Sequence, residues 1–201
     1  MISEFHTLTK ASEPFLHKEK KSKFWGYAIP INRENDVKLF LDELKSMHTN
    51  ANHFCYAWSI GVNPEISRLN DDGEPNNTAG APIYGQIQSF NLSNTAVVVV
   101  RIFGGVKLGP GGLISAYKAA AQGALESASI VKQTIKKTYK LTCAYSKLHL
   151  LMRLIKQYHA IIISQDLSNQ CVVKAQIAIE TAAEFEKTIN EFRYISWDQS
   201  D

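Results

Sequence analysis

Apolar positions recur along this chain with two different periods, and the switches between them mark its elements. Lys23 to Ile31 is rich in aromatic and β-branched residues and predicts a strand. Val37, Phe40, Leu41 and Leu44 repeat at helical spacing and predict a helix over Glu34 to Met47, capped by Asn32. His53 to Ile60 alternates as a strand, with Phe54, Tyr56 and Trp58 on one face and Cys55 and Ala57 on the other. Pro64 breaks it, and Glu65 to Leu69 forms the second strand of a hairpin. Thr78 to Phe90 reads as a helix capped by Thr78 or Asn77, with Ile83, Ile87 and Phe90 on one side.

The most informative stretch follows. Thr95 to Phe103 is a nearly unbroken apolar run and predicts a buried strand. Gly104 to Gly112 is a turn holding five glycines, and a helix runs from Leu113 towards Ile130. Leu113, Ala116, Tyr117, Ala120, Ala121 and Ala124 make its packing face, small enough to lie close on a sheet. Ser115, Lys118, Gln122 and Glu126 make its exposed face.

After Ile135 the alternation restarts. Lys136 to Tyr145 is strand-like, Ser146 to Tyr158 helical and Ala160 to Gln165 strand-like. Val173, Ala175, Ile177 and Ile179 alternate in a strand over Val172 to Glu180; Thr181 to Phe192 is helical, and Tyr194 to Trp197 is a last short strand. The order β-α-β-β-α-β predicts a ferredoxin-like domain. Two domains are expected, 1–132 and 134–201, with the boundary near Ser129 to Thr134.

Composition adds little to the class and more to the partners. A chain of 201 residues, 45% hydrophobic and 20% charged, has the composition of a folded protein rather than a disordered one. The net charge of +3 does not by itself imply nucleic acid, but its distribution is uneven. No acidic residue falls between Ser127 and Gln165, where Lys132, Lys136, Lys137, Lys140, Lys147, Arg153 and Lys156 lie. Lys18, Lys20, Lys21 and Lys23 form a second cluster. These are either solvated faces or phosphate contacts; Lys136, Lys137, Lys140 and Lys147 are the RNA-binding candidates. Cys55, Cys143 and Cys171 make no paired motif and suit a reducing cytoplasm. The first residues lack a signal peptide's apolar run, and no run reaches the ~18 residues that cross a bilayer.

The glycine turn is neither a Walker motif nor a dinucleotide fingerprint. It serves close helix–sheet packing or contacts an anion; Arg101, Gly104, Gly105, Lys107, Gly109, Gly111 and Gly112 are the ligand candidates. Upstream, Asp71, Asp72, Glu74 and Thr78 sit in a polar turn. Its carboxylates could hold a divalent cation, but without EF-hand spacing they are better suited to capping and backbone hydrogen bonds, so no metal or cofactor is assigned. A functional surface is expected where the two turns meet. Arg101 is a ligand contact or a structural ion pair. Tyr56 and Trp58 stack bases if exposed, or pack a core. His48, His53, His149 and His159 form no zinc pair, and no catalytic residue is named.

Taken together, His53-Phe54-Cys55-Tyr56-Ala57-Trp58, Asp71-Asp72-Gly73-Glu74-Pro75 through Thr78-Ala79-Gly80 and Pro82, and Val99-Val100-Arg101-Ile102-Phe103-Gly104-Gly105 through Leu108-Gly109, Gly111-Gly112-Leu113 and Ala116-Tyr117 resemble the YigZ/IMPACT family, in its bacterial YigZ branch. The resemblance covers residues 15 to 130. It implies an α+β chain. The N-terminal domain is a two-layer α/β fold of the ribosomal-protein and translocase-domain type. The C-terminal domain is ferredoxin-like, similar to the last domain of elongation factor G. Eukaryotic relatives regulate translation initiation by competing for a protein partner. Ser115 stands where the family often has a basic residue, and Ile102 where it often has an aromatic one. The leading expectation is therefore a cytoplasmic, non-enzymatic protein of translation that contacts RNA or a ribosome-associated partner, without a membrane. The competing one is a small-ligand enzyme acting on a phosphorylated molecule at the glycine turn. Oligomeric state is left open.

Overall fold

The computed structural model describes residues 2–62 and 65–200, so the break expected at Pro64 lies outside the described residues. The chain divides into two compact units, Phe5–Gln133 and Thr134–Asp201 with Met1–Glu4. In chain order the first half carries β1 (Glu4–Leu8), β2 (Phe15–Glu19), β3 (Ser22–Pro30), α1 (Glu34–Met47), β4 (His53–Ile60), β5 (Ile66–Asn70), α2 (Gly80–Ser89), β6 (Thr95–Ile102), α3 (Gly109–Glu126) and β7 (Ile130–Thr134).

The main sheet runs β2-β3-β6-β4-β5, antiparallel at every pairing. β6 is central because its valine run can be buried on both faces. Val97 and Val99 pack with Phe24, Ala28, Cys55 and Ala57 against α2 and α3. Ala96, Val98 and Val100 face the other way, with Tyr27, Ile29 and Trp58, under Val37 and Leu44 of α1. Trp58 and Tyr56 thus belong to the packing beneath α1 rather than to an exposed stacking face.

α3 lies close on the sheet because both surfaces are small there. A Cβ on Gly26 would stand 2.2 Å from the Ala120 carbonyl oxygen and 3.2 Å from the Ala124 methyl. The predicted packing face of α3 is buried throughout.

The second unit has β8 (Lys136–Ala144), a short 3-10 turn (Tyr145–Lys147), α4 (Leu148–Gln157), β9 (Ile161–Leu167), β10 (Gln170–Ala178), α5 (Ile179–Ile189) and β11 (Ile195–Ser200). Its sheet order, β11-β8-β10-β9 with antiparallel pairings, is the ferredoxin-like arrangement. Tyr139, Leu141 and Cys143 pack with Leu151, Val173, Ile177 and Phe185 in its core.

Several boundaries differ from the sequence reading. α3 begins at Gly109, four residues before Leu113, since proline and glycine are tolerated in a first helical turn. Arg33, not Asn32, occupies the α1 cap, and the Asp36 carboxylate accepts the N–H groups of both. Ile179 opens α5 instead of closing β10. β1, β2 and β7 are too short and irregular in pattern to stand out. The segment expected to hold the domain boundary contains β7, which pairs with β1.

Gly26→Ala should lower stability by about 1–3 kcal/mol, because α3 must retreat from β3 to admit one methyl. Thermal unfolding of the variant measures this, and a wild-type melting temperature would show that the helix is not seated on that glycine.

Candidate functional site

Strand register builds the site. On the α3 face of the sheet, Arg101 of β6 stands between Phe24 of β3 and His53 of β4, each its direct cross-strand partner. Cross-strand partners share a face, so a cation, an aromatic ring and an imidazole form one row. The row lies near the C-terminal end of β6, where the glycine turn leaves the sheet.

Arg101 is buried, and its guanidinium donates to Glu74 Oε1 at 2.5 Å. The same oxygen accepts the Tyr117 hydroxyl at 2.7 Å, and His53 Nε2 lies 3.9 Å from it. The guanidinium carbon sits 5.3 Å from the Phe24 ring centre and 5.4 Å from that of Phe103, so it is held between two aromatic faces. The structural ion pair considered for Arg101 is therefore present. Arg101 also lines a cavity of about 420 Å³ with Asn52, His53, Glu74, Phe103, Lys107 and Leu113. The acidic turn and the glycine turn do meet, and this cavity is where.

The acidic turn is only partly devoted to that cavity. Asp71 accepts the N–H groups of Asn77, Ala79 and Gly80, and so caps α2 from outside the helix. Asp72 accepts the Phe54 N–H, and the Thr78 hydroxyl donates to the Pro75 carbonyl. This corrects the expected cap: Ala79 holds that position, and neither Thr78 nor Asn77 caps α2 with its side chain. Of the four candidates in this turn, only Glu74 lines the cavity.

The glycines separate by what each is for. Gly104 must be bare, since a Cβ would stand 2.1 Å from the Lys21 carbonyl carbon. Gly105 and Gly109 have φ of +86° and +72°, the left-handed region that favours glycine. Gly111 has neither constraint, because its φ is not positive and a Cβ there would meet nothing within 4 Å. Gly112 is tight only against the Leu108 side chain. Lys107 is exposed at the cavity wall.

His53 was not among the sequence candidates. Its parity with Cys55 and Ala57, whose face was assigned, was the available signal. The Asp72 carbonyl accepts a hydrogen bond from Nδ1 at 2.8 Å. Nε2 is the ring nitrogen on the Glu74 side, and His53 lines the cavity. Asn52, also missed, binds the Phe103 N–H and ties the start of β4 to the end of β6. Behind the cavity, Cys55 Sγ lies 3.0 Å from the Asp71 carbonyl and 3.3 Å from the Tyr117 hydroxyl. Burial pushes both the Cys55 thiol and the Tyr117 hydroxyl well above their ordinary ranges, so both stay protonated.

The Impact N-terminal domain family matches residues 20–125, more than half of the chain. The chain belongs to the IMPACT family. It is similar along most of its length to the IMPACT family member YvyE of Bacillus subtilis, with 32% identity over 96% of this chain and 85% of that protein. The IMPACT family member YigZ of Escherichia coli is 31% identical over 86% of each chain. A solved crystal structure of a hypothetical protein matches with a TM-score of 0.76 at 26% identity, covering 100% of this chain and 99% of that one. Proteins named IMPACT from eukaryotes match over a shorter span, 50% of this chain for the Saccharomyces cerevisiae homologue.

In this IMPACT-family chain the four candidate lysines of the second unit do not share one face. Lys137 lies on the helix side of its sheet, where it donates to Glu186 at 3.1 Å. The hydroxyl of Tyr139, and then Lys137, hold the Glu186 carboxyl below its ordinary value. Lys136 and Lys140 have the opposite parity on β8, with Lys140 directly across from Asp198 and Lys174. Lys147 lies in the 3-10 turn with its ammonium 5.3 Å from the Tyr194 ring centre. No helix among the described residues is long and apolar enough to cross a membrane.

Two predictions follow from this geometry. Glu74→Gln should cost about 3–5 kcal/mol, because it strips the buried Arg101 of its counter-charge; chemical denaturation measures the loss. Gly104→Ala should also destabilise strongly, whereas Gly111→Ala should leave the melting temperature unchanged or raise it, alanine being the better helix former by up to about 1 kcal/mol. Equal losses in the two glycine variants would contradict the backbone geometry of the turn.

Proposed function

We propose that this IMPACT-family protein is a translation-associated regulatory or binding protein. It acts by contact with RNA or a ribosome-associated partner, through the cavity face of its first unit. Family membership supports the translational setting, since the family resemblance brings in eukaryotic regulators of translation initiation. The observation that carries the contact reading is the joining of cationic and apolar groups at one end of the sheet. Lys107 is exposed beside the cavity that Arg101 lines, and Phe103 and Val106 are exposed on the same turn. Gly104 packs on the Lys21 backbone, which brings the Lys20–Lys21 hairpin turn alongside. Exposed aromatic and cationic groups together suit a nucleic-acid or protein partner.

A second reading, an enzyme acting on a phosphorylated molecule, draws support from His53 alone. It lines the cavity with Nδ1 bonded to the Asp72 carbonyl, so Nε2 is the ring nitrogen left for a substrate. Cys55 and Tyr117 do not extend this set, since burial keeps both protonated.

Co-sedimentation with ribosomes on sucrose gradients, with and without nuclease, tests the proposal. The wild-type protein should travel with ribosomal particles, and a Phe103→Ala, Lys107→Ala double variant should remain near the top of the gradient with its melting temperature little changed. A Lys136→Gln, Lys137→Gln, Lys140→Gln, Lys147→Gln variant should still travel. Loss of association in the lysine variant alone would place the contact on the second unit and reject the cavity face.

A further inference from the structure

We infer that the hairpin of β2 and β3 holds the sugar–phosphate backbone of single-stranded RNA through Lys18, Lys20, Lys21 and Lys23; this rests on the reading of the first unit as an RNA-contacting surface. The four lysines surround a two-residue turn. Glu19 and Ser22 are its closing pair, and Lys18 stands directly opposite Lys23 on the two strands. All four lysines are exposed, and none makes an ion pair or a side-chain hydrogen bond among the described residues. The one carboxylate of the hairpin, Glu19, has the parity of Phe15, whose ring lies against Gly123 of α3. Glu19 is therefore on the opposite side of the ribbon from Lys18 and Lys23.

The tip is at odds with the needs of the fold. Lys20 and Lys21 have φ of +43° and +68°. A two-residue hairpin turn with both φ positive favours Asn-Gly, because ordinary side chains resist that region. Directly opposed like charges destabilise a strand pair as well. No carboxylate among the described residues answers this repulsion, whereas a polyanion seated on the tip would. The lysines of the second unit differ in this respect, since Lys137 pairs with Glu186, Lys147 lies on Tyr194 and Lys140 stands across from Asp198.

The surroundings of the tip favour RNA among polyanions. Lys23 pairs with Ile102, so the end of β6 lies at the base of the hairpin. The Gly104 N–H donates to the Ser22 hydroxyl at 3.2 Å, and Gly104 packs on the Lys21 backbone. Phe103, 42% exposed, is thereby held beside the tip. Unpaired cations next to an exposed aromatic ring are the combination that holds a single strand. The cations follow the phosphates, and the ring stacks a base of any identity. The turn itself carries no apolar side chain to enter a bilayer.

Fluorescence anisotropy of the full chain tests this with a labelled oligouridylate and a labelled RNA of mixed sequence, each at several salt concentrations. Polyglutamate and phosphatidylserine vesicles serve as competitors. Both RNAs should bind with similar affinity, and neither competitor should displace them as well as unlabelled RNA does. Lys18→Gln with Lys23→Gln should flatten the slope of log affinity against log salt by about 1.4, two contacts at about 0.7 each. Lys20→Asn with Lys21→Gly should flatten it equally while raising the melting temperature, because that pair suits the turn. A purely structural role would move binding and stability in the same direction. Phe103→Ala should weaken binding about tenfold and leave the slope unchanged. The inference is overturned by absence of binding at low salt, by an unaltered slope in either lysine pair, or by a lower melting temperature in the Asn-Gly variant. Displacement by polyglutamate overturns it in favour of an acidic protein, and displacement by vesicles in favour of a membrane surface. Ribosome association that persists while both RNAs fail to bind overturns this inference alone. RNA binding through the hairpin without ribosome association overturns only the translational reading.

Discussion

One buried carboxylate holds the cavity face of the first unit together. Glu74 comes from an irregular turn, Arg101 from the central strand β6 and Tyr117 from α3, and a single oxygen of Glu74 binds both of the others. Neither Glu74 nor Arg101 could be buried alone at acceptable cost, since an unpaired charge in such a place is heavily penalised. Together they tie the turn to the sheet and to α3. The guanidinium, confined between Phe24 and Phe103, has little freedom to turn elsewhere. The cavity is the space left where these constraints do not quite close.

That arrangement separates support from contact within segments that look uniform. In the acidic turn, Asp71 and Asp72 spend their carboxylates on backbone amides and so hold the turn and the start of α2 in place. In the glycine turn, Gly104, Gly105 and Gly109 serve the backbone path, whereas Gly111 does not. A polar or glycine-rich stretch is thus a mixture of residues that make a shape and residues that use it. Only distances tell the two apart.

The second unit follows a different logic. Its ferredoxin-like sheet buries one side against α4 and α5, and its lysines are distributed by strand parity over both sides. A run of basic residues in sequence therefore does not become a basic patch. Lys137 is turned towards Glu186 while its neighbours Lys136 and Lys140 point the other way.

Periodicity alone determined much of this protein. The helical repeat of α1, the alternation of β4, the valine run of β6 and the alanine face of α3 all follow from local pattern, because burial on one face imposes a period that the chain must carry. The β-α-β-β-α-β order of the second unit was legible for the same reason. The meeting of the two turns was also expected, because both are glycine-bearing segments between predicted elements. Tertiary structure decided what no local pattern encodes. Cross-strand register put His53 beside Arg101, which lies far from it in sequence. The approach of Gly104 to the Lys21 backbone joined a hairpin turn to the glycine turn. The choice of Asp71 as the cap of α2, in place of Thr78 or Asn77, depended on where β5 ends relative to that helix. Each of these is a contact between segments distant in sequence, and such contacts follow from the packing of whole elements rather than from the residues nearby.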